Sequence, residues 1–98
     1  MSERETRRVL GGDGQVLATA EYNNGTLEGV SRVYSPSGTL LQEMSYLGGQ
    51  LHGPYRTWWN SGILKESGDY AGGQRIGEYR WYKEDGSLLQ SHRYAVSK

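Results

Sequence analysis

Tyr46-Leu-Gly-Gly-Gln-Leu-His-Gly-Pro-Tyr-Arg-Thr-Trp-Trp-Asn-Ser-Gly-Ile-Leu-Lys-Glu-Ser-Gly-Asp69 is the stretch from which the fold can be read. Its middle, Pro54-Tyr-Arg-Thr-Trp-Trp59, is rich in aromatic and β-branched residues and carries no helical period, which is the signature of a strand. Asn60-Ser61-Gly62 then supplies a three-residue hairpin loop, a type I turn closed by a glycine in the left-handed region. A second strand follows from Leu64. Moving outward, the same arrangement recurs at an interval of 24 residues on both sides. Tyr22, Tyr46, Tyr70 and Tyr94 keep that interval, as do Gly38, Gly62 and Gly86, the aromatic column Tyr34, Trp58 and Tyr82, and the aliphatic column Leu40, Leu64 and Leu88. Arg32, Arg56 and Arg80 form a basic column. An incomplete copy comes first, in which Leu10, Gly14 and Val16 precede Tyr34, Gly38 and Leu40 by one period.

The expected fold is therefore all-β, an antiparallel meander of about seven or eight strands built from repeated β-hairpins in a twisted, largely single-layer sheet. One domain spans 1–98, with units at about 10–21 (partial), 22–45, 46–69 and 70–94. A three-residue loop pairs Ser35 with Thr39 and Tyr34 with Leu40, and simple alternation from there puts Arg32, Tyr34, Leu40, Gln42, Met44 and Tyr46 on one side. Across the units this predicts one stripe of Leu10, Val16, Tyr22, Tyr34, Leu40, Tyr46, Trp58, Leu64, Tyr70, Tyr82, Leu88 and Tyr94. The opposite face is less regular. Its columns are Ser31, Tyr55 and Tyr79, then Val33, Thr57 and Trp81, then Ser35, Trp59 and Lys83.

Composition narrows the function. Eleven Lys and Arg balance eleven Asp and Glu, so the chain lacks the basic excess of a nucleic-acid binder, and charge equally disfavours adsorption to membrane lipid. Apolar area comes from eight Tyr and three Trp, rings with a polar handle suited to half-exposed surfaces. With no cysteine there are no disulfides, thiolate metal sites or cysteine nucleophiles. The charged start, Met1-Ser-Glu-Arg-Glu-Thr-Arg-Arg8, leads into no signal-like apolar run, which makes a soluble cytoplasmic protein the expectation.

The 46–69 unit resembles the variant MORN repeat, whose usual form is Tyr, two residues, Gly, Lys, Leu, His, Gly, a strand with aromatics, Asn-Gly, then a residue and Leu. The resemblance runs from roughly residue 10 to 94 and rests on repeated columns rather than on any single string. Chains built only of this variant are similar to the YwqK-type antitoxins of bacterial toxin-antitoxin modules, and MORN repeats more widely serve as interaction or membrane-apposed scaffolds. The resemblance thus implies a protein partner, a cognate toxin. Two departures stand out. Arg75-Ile76 replaces Leu-His in the third unit, and the repeat glycines are lost upstream of residue 14, as in a degenerate cap.

No catalytic constellation emerges, so no enzyme, metal or cofactor is expected. His52 and His92 are forty positions apart without a third ligand. Gly72-Gly-Gln-Arg-Ile-Gly77 lacks the Lys and Ser or Thr of a phosphate loop and opens no helix. Glu84 and Asp85 are neighbours in a turn rather than carboxyls across a cleft. Each Arg of the basic column is expected to lie over a neighbouring ring. Tyr55, Trp59, Tyr79 and Trp81, on a face that a one-layer sheet leaves uncovered, are the candidate protein-binding residues, since Trp and Tyr dominate binding hot spots. The exposed terminal strands offer the alternative, a scaffold that forms homodimers edge to edge.

Overall fold

The computed structural model describes residues 3–95. They form eight strands: β1 (Arg4–Leu10), β2 (Val16–Asn23), β3 (Thr26–Tyr34), β4 (Leu40–Leu47), β5 (Gln50–Trp58), β6 (Leu64–Ala71), β7 (Gln74–Tyr82) and β8 (Leu88–Tyr94). All pair antiparallel with their chain neighbours in one open sheet of order β1 to β8, as the repeat predicts. Among the described residues no second layer covers it. The radius of gyration, 15.0 Å, exceeds the roughly 13 Å of a compact chain of this length, and one principal extent is only 13 Å.

Two kinds of turn alternate. The loops after β3, β5 and β7 share one bonding pattern: Ser35 N donates to Thr39 O at 2.8 Å and Gly38 N to Ser35 O at 2.9 Å, with Gly38 at φ 96°. Trp59 with Ile63 and Lys83 with Ser87 repeat it. This is the loop expected from the sequence, and Tyr34 does pair with Leu40. The links between units are shorter than they read in sequence. Each closes on two residues of positive φ, Asn24 and Gly25 (52° and 82°), Gly48 and Gly49 (58° and 85°), or Gly72 and Gly73 (56° and 86°), the twist that a two-residue hairpin needs. These turns are also stitched to the preceding unit, since Gly49 N donates to Leu27 O and Gly73 N to Leu51 O, both at 2.9 Å.

Bulges correct the predicted division of faces. Tyr34 pairs with Leu40 but Val33 pairs with Gln42, so Leu41 is an extra residue, and Leu17, Lys65 and Leu89 are extra at the equivalent places. Each insertion shifts the rest of its strand by one position relative to its partner and so reverses its faces. Tyr34, Leu40, Trp58, Leu64, Tyr82 and Leu88 keep one side, and Tyr22, Tyr46, Tyr70 and Tyr94 move to the other, with Gln42 and Met44. The single stripe is two.

A wider bulge follows each link. Glu21 stands opposite Glu28, Gly29 and Val30, where Gly29 has φ 111° and the Glu21 carboxylate accepts the Val30 amide at 2.7 Å. Pro54 occupies the Val30 position of the next unit, the place where β4 offers no backbone acceptor, which explains a proline inside a central strand. Both edges expose apolar side chains beside charged ones: β1 carries Arg4, Glu5, Arg7 and Arg8 with Val9 and Leu10 exposed, and β8 carries His92 and Arg93 with Leu88 and Leu89 exposed.

Candidate functional site

The side that receives the Tyr22 column, here the aromatic face, has its densest packing over β5 to β8. Tyr79 is wholly buried there, at 0% exposure, in a sheet with no second layer. Gly68 makes this possible. A Cβ at that position would fall inside the Tyr79 ring, so the ring lies directly on the β6 backbone. Trp81 packs beside it, centroids 4.8 Å apart, and Tyr70 and Tyr94 meet it edge-on at 6.2 Å. Tyr55 closes the remaining side at 6.5 Å.

Above the ring lies the Arg75 guanidinium, 4.6 Å from its centroid, held by hydrogen bonds donated to the Tyr70 and Tyr94 hydroxyls, both at 3.2 Å. Leu27 and Leu51 occupy the Arg75 position in the other units, so this departure from the repeat is the lid of the cluster. Below, the Tyr79 hydroxyl donates to Glu66 Oε1 at 2.8 Å, and Thr57 Oγ1 donates to Glu66 Oε2 at 3.0 Å. Burial first, then the bond to Glu66, pushes the Tyr79 phenol far above its ordinary range, and burial raises that of Tyr55. Because the shift is upward, the protonated phenols favour folding at all pH below about 10, and that contribution is lost as pH climbs through the folded values. In an alkaline titration followed by phenolate absorbance and circular dichroism together, Tyr79 should ionise only as the sheet unfolds. Ionisation of Tyr79 while the sheet signal is still intact would count against this packing.

Toward the hairpin loops, the aromatic face opens into a cleft of about 350 Å³ lined by Gln42, Thr57, Trp59, Asn60, Lys65 and Glu66 among others. The Trp59 indole nitrogen donates to Tyr82 O at 3.3 Å, fixing the ring, and Lys65 Nζ sits 4.7 Å from its centroid.

Of the four candidate residues, Tyr55, Tyr79 and Trp81 thus form one cluster, whereas Trp59 lines the cleft and reaches the cluster only through Thr57 and Glu66. Tyr79 presents no surface of its own. Sequence reasoning marked Arg75 as a departure from the repeat without giving it a role and assigned no site role to Gly68 or Glu66, yet each breaks its column: Gly68 against Ala20 and Met44, Arg75 against Leu27 and Leu51, Glu66 against Gln42 and Gln90.

The basic column behaves otherwise than expected. Arg32 pairs with Glu43 and Arg80 with Glu78, each at 2.8 Å, and Arg56 makes no ion pair among the described residues. Cations lie over rings elsewhere: Arg7 over Tyr22, Lys65 over Trp59, Arg75 over Tyr79. His52 Nδ1 accepts the Gly72 amide at 3.4 Å, and the His92 ring stands 4.5 Å from Tyr94. Asp85 accepts the amide and hydroxyl of Ser87, bonds that lower its pKa.

A single sheet of β-hairpins repeated every 24 residues, stitched turn to turn, defines an open solenoid-like repeat protein. Three consecutive matches to the MORN repeat variant, over residues 27–47, 51–71 and 75–95, cover well over half of the chain, and the chain belongs to that family. Each match coincides with one hairpin, β3–β4, β5–β6 or β7–β8. No curated protein and no solved structure matches it.

Proposed function

We propose that this chain is a non-enzymatic protein-binding module of the cytoplasm, and that its partner is a toxin neutralised by direct, occluding contact. One observation carries the binding reading. The residues that abandon the repeat columns gather on one face of the third and fourth hairpins, around half-exposed rings that no second layer covers among the described residues. Repeats need their columns for cohesion, so departures from them concentrate where a sequence answers to something else. The antitoxin assignment rests on the resemblance of all-variant MORN chains to that class.

The test is co-expression with the products of the flanking genes. A stoichiometric complex that restores growth to cells expressing the toxic component is the expected result. Combined Trp59→Ala and Trp81→Ala should weaken the complex by about 30-fold or more, the scale of two-kcal/mol hot spots, with the circular dichroism spectrum retained. A full-strength complex from the double variant would remove this face from consideration.

A second reading has support in the β8 edge, where Leu88 and Leu89 are exposed beside unpaired backbone groups. In it the chain is a scaffold that pairs with a second copy. Sedimentation of the purified protein alone should then give a dimer, and proline introduced in β8 should return a monomer.

A further inference from the structure

The cleft beside Trp59 combines three features that belong together chemically. Its inner wall holds Glu66, a half-buried carboxylate in a column that otherwise reads Ala18, Gln42 and Gln90. Both oxygens are fixed by neutral hydroxyls, those of Tyr79 and Thr57. The ion pairs of the described residues engage Glu5, Glu28, Glu43 and Glu78 but leave Glu66 without a cation. A glutamine has one acceptor oxygen where the carboxylate has two, so Glu66 differs from the glutamines of its column both in accepting from two hydroxyls and in its negative charge.

The Trp59 ring also lines the cleft, held by its bond to Tyr82 O, and its face already attracts the chain's own Lys65 ammonium. An indole ring and a carboxylate outside the ion pairs of the described residues, both lining one cleft of about 350 Å³, each select positive charge, and the volume lies at the lower end of small-ligand sites. Gln42 and Asn60 add amide side chains to the lining. A flat guanidinium satisfies this set better than an ammonium, since it stacks on an indole and presents parallel N–H donors to a carboxylate.

Building on the protein-binding reading, we propose that this cleft receives an arginine side chain projected by the partner, stacked on Trp59 and hydrogen-bonded to Glu66. Lys65, on an exposed flexible stem, yields the ring face when the arginine enters. The Trp59 ring has no counterpart in the neighbouring loops, where Ser35 and Lys83 take its place.

The experiment needs no partner. The full chain is titrated with N-acetyl-arginine methylamide, and the cross-peaks of the Trp59 indole N–H and the Thr57 and Glu66 amides are followed by NMR. The citrulline analogue, equal in shape but neutral, serves as the comparison. Saturable shifts at these groups, with a dissociation constant on the order of 1 mM, are expected for arginine, with at least tenfold weaker binding for citrulline. Glu66→Gln and Trp59→Ala should each weaken the arginine titration at least tenfold. Equal binding of citrulline, or an unchanged titration in Glu66→Gln, would overturn the arginine site. The loss of a complex in the Trp59 and Trp81 double variant judges the protein-binding reading separately, so either can fail without the other.

Discussion

Gly68→Ala is expected to lower the stability of the sheet by about 1–3 kcal/mol, the usual cost of forcing an extra carbon into close packing. Alanine ordinarily improves a strand position held by glycine, and Gly68 is not among the glycines of positive φ, so the backbone gives no reason for a loss. The cost comes from the ring of Tyr79, which occupies the space of the new methyl group and has nowhere to go. Arg75 lies over it, Trp81 and Tyr55 flank it, and its hydroxyl is tied to Glu66. Urea unfolding monitored by tryptophan fluorescence measures the change. The diagnostic is coupling: in a Tyr79→Ala background the same Gly68→Ala substitution should become neutral or slightly stabilising. A penalty that persists without the ring would show that something other than Tyr79 excludes the methyl group.

Tyr79→Ala should cost more, about 3–5 kcal/mol, as for other buried aromatic side chains cut to alanine. For a small domain this is a large share of the roughly 5–15 kcal/mol available, and the variant should unfold at markedly lower urea. It also strands its partners: Glu66 loses a donor and Arg75 loses the ring beneath it. Tyr79→Phe separates the two contributions, keeping the packing and removing only the bond to the carboxylate, worth about 1.5–3 kcal/mol as a hydrogen bond to a charged group. If both variants unfold at the wild-type midpoint, the cluster is not the stabilising centre of the sheet.

Much of this architecture could be read from the chain before any coordinates. The 24-residue interval, the glycines at 38, 62 and 86 and the pairing of Tyr34 with Leu40 all stand as the sequence implies. The bulges at Leu17, Leu41, Lys65 and Leu89 could not, because each inserts one residue into a strand without altering the loop or the interval. Alternation carried straight through them therefore put Tyr46 and its equivalents on the wrong side. Asn24-Gly25 was a legible two-residue turn signal, masked by the length of the segment around it. At the site, Tyr55, Trp59, Tyr79 and Trp81 were found as rings lacking a cover, but which of them is itself the covered one depended on Gly68 and Arg75. A missing side chain gives no hydrophobic signal, and an arginine lid reads as surface charge until the hydroxyls that hold it are in place.

Each strand packs chiefly against its immediate neighbours in the chain, and the bulges recur with the same period as the turns. Duplication or loss of one unit within the gene would consequently return a chain whose rows still line up and whose turns still find their stitching amides. Such a lineage can change the reach of its surface in whole steps, and can set one hairpin aside for recognition while its sisters go on holding the array together.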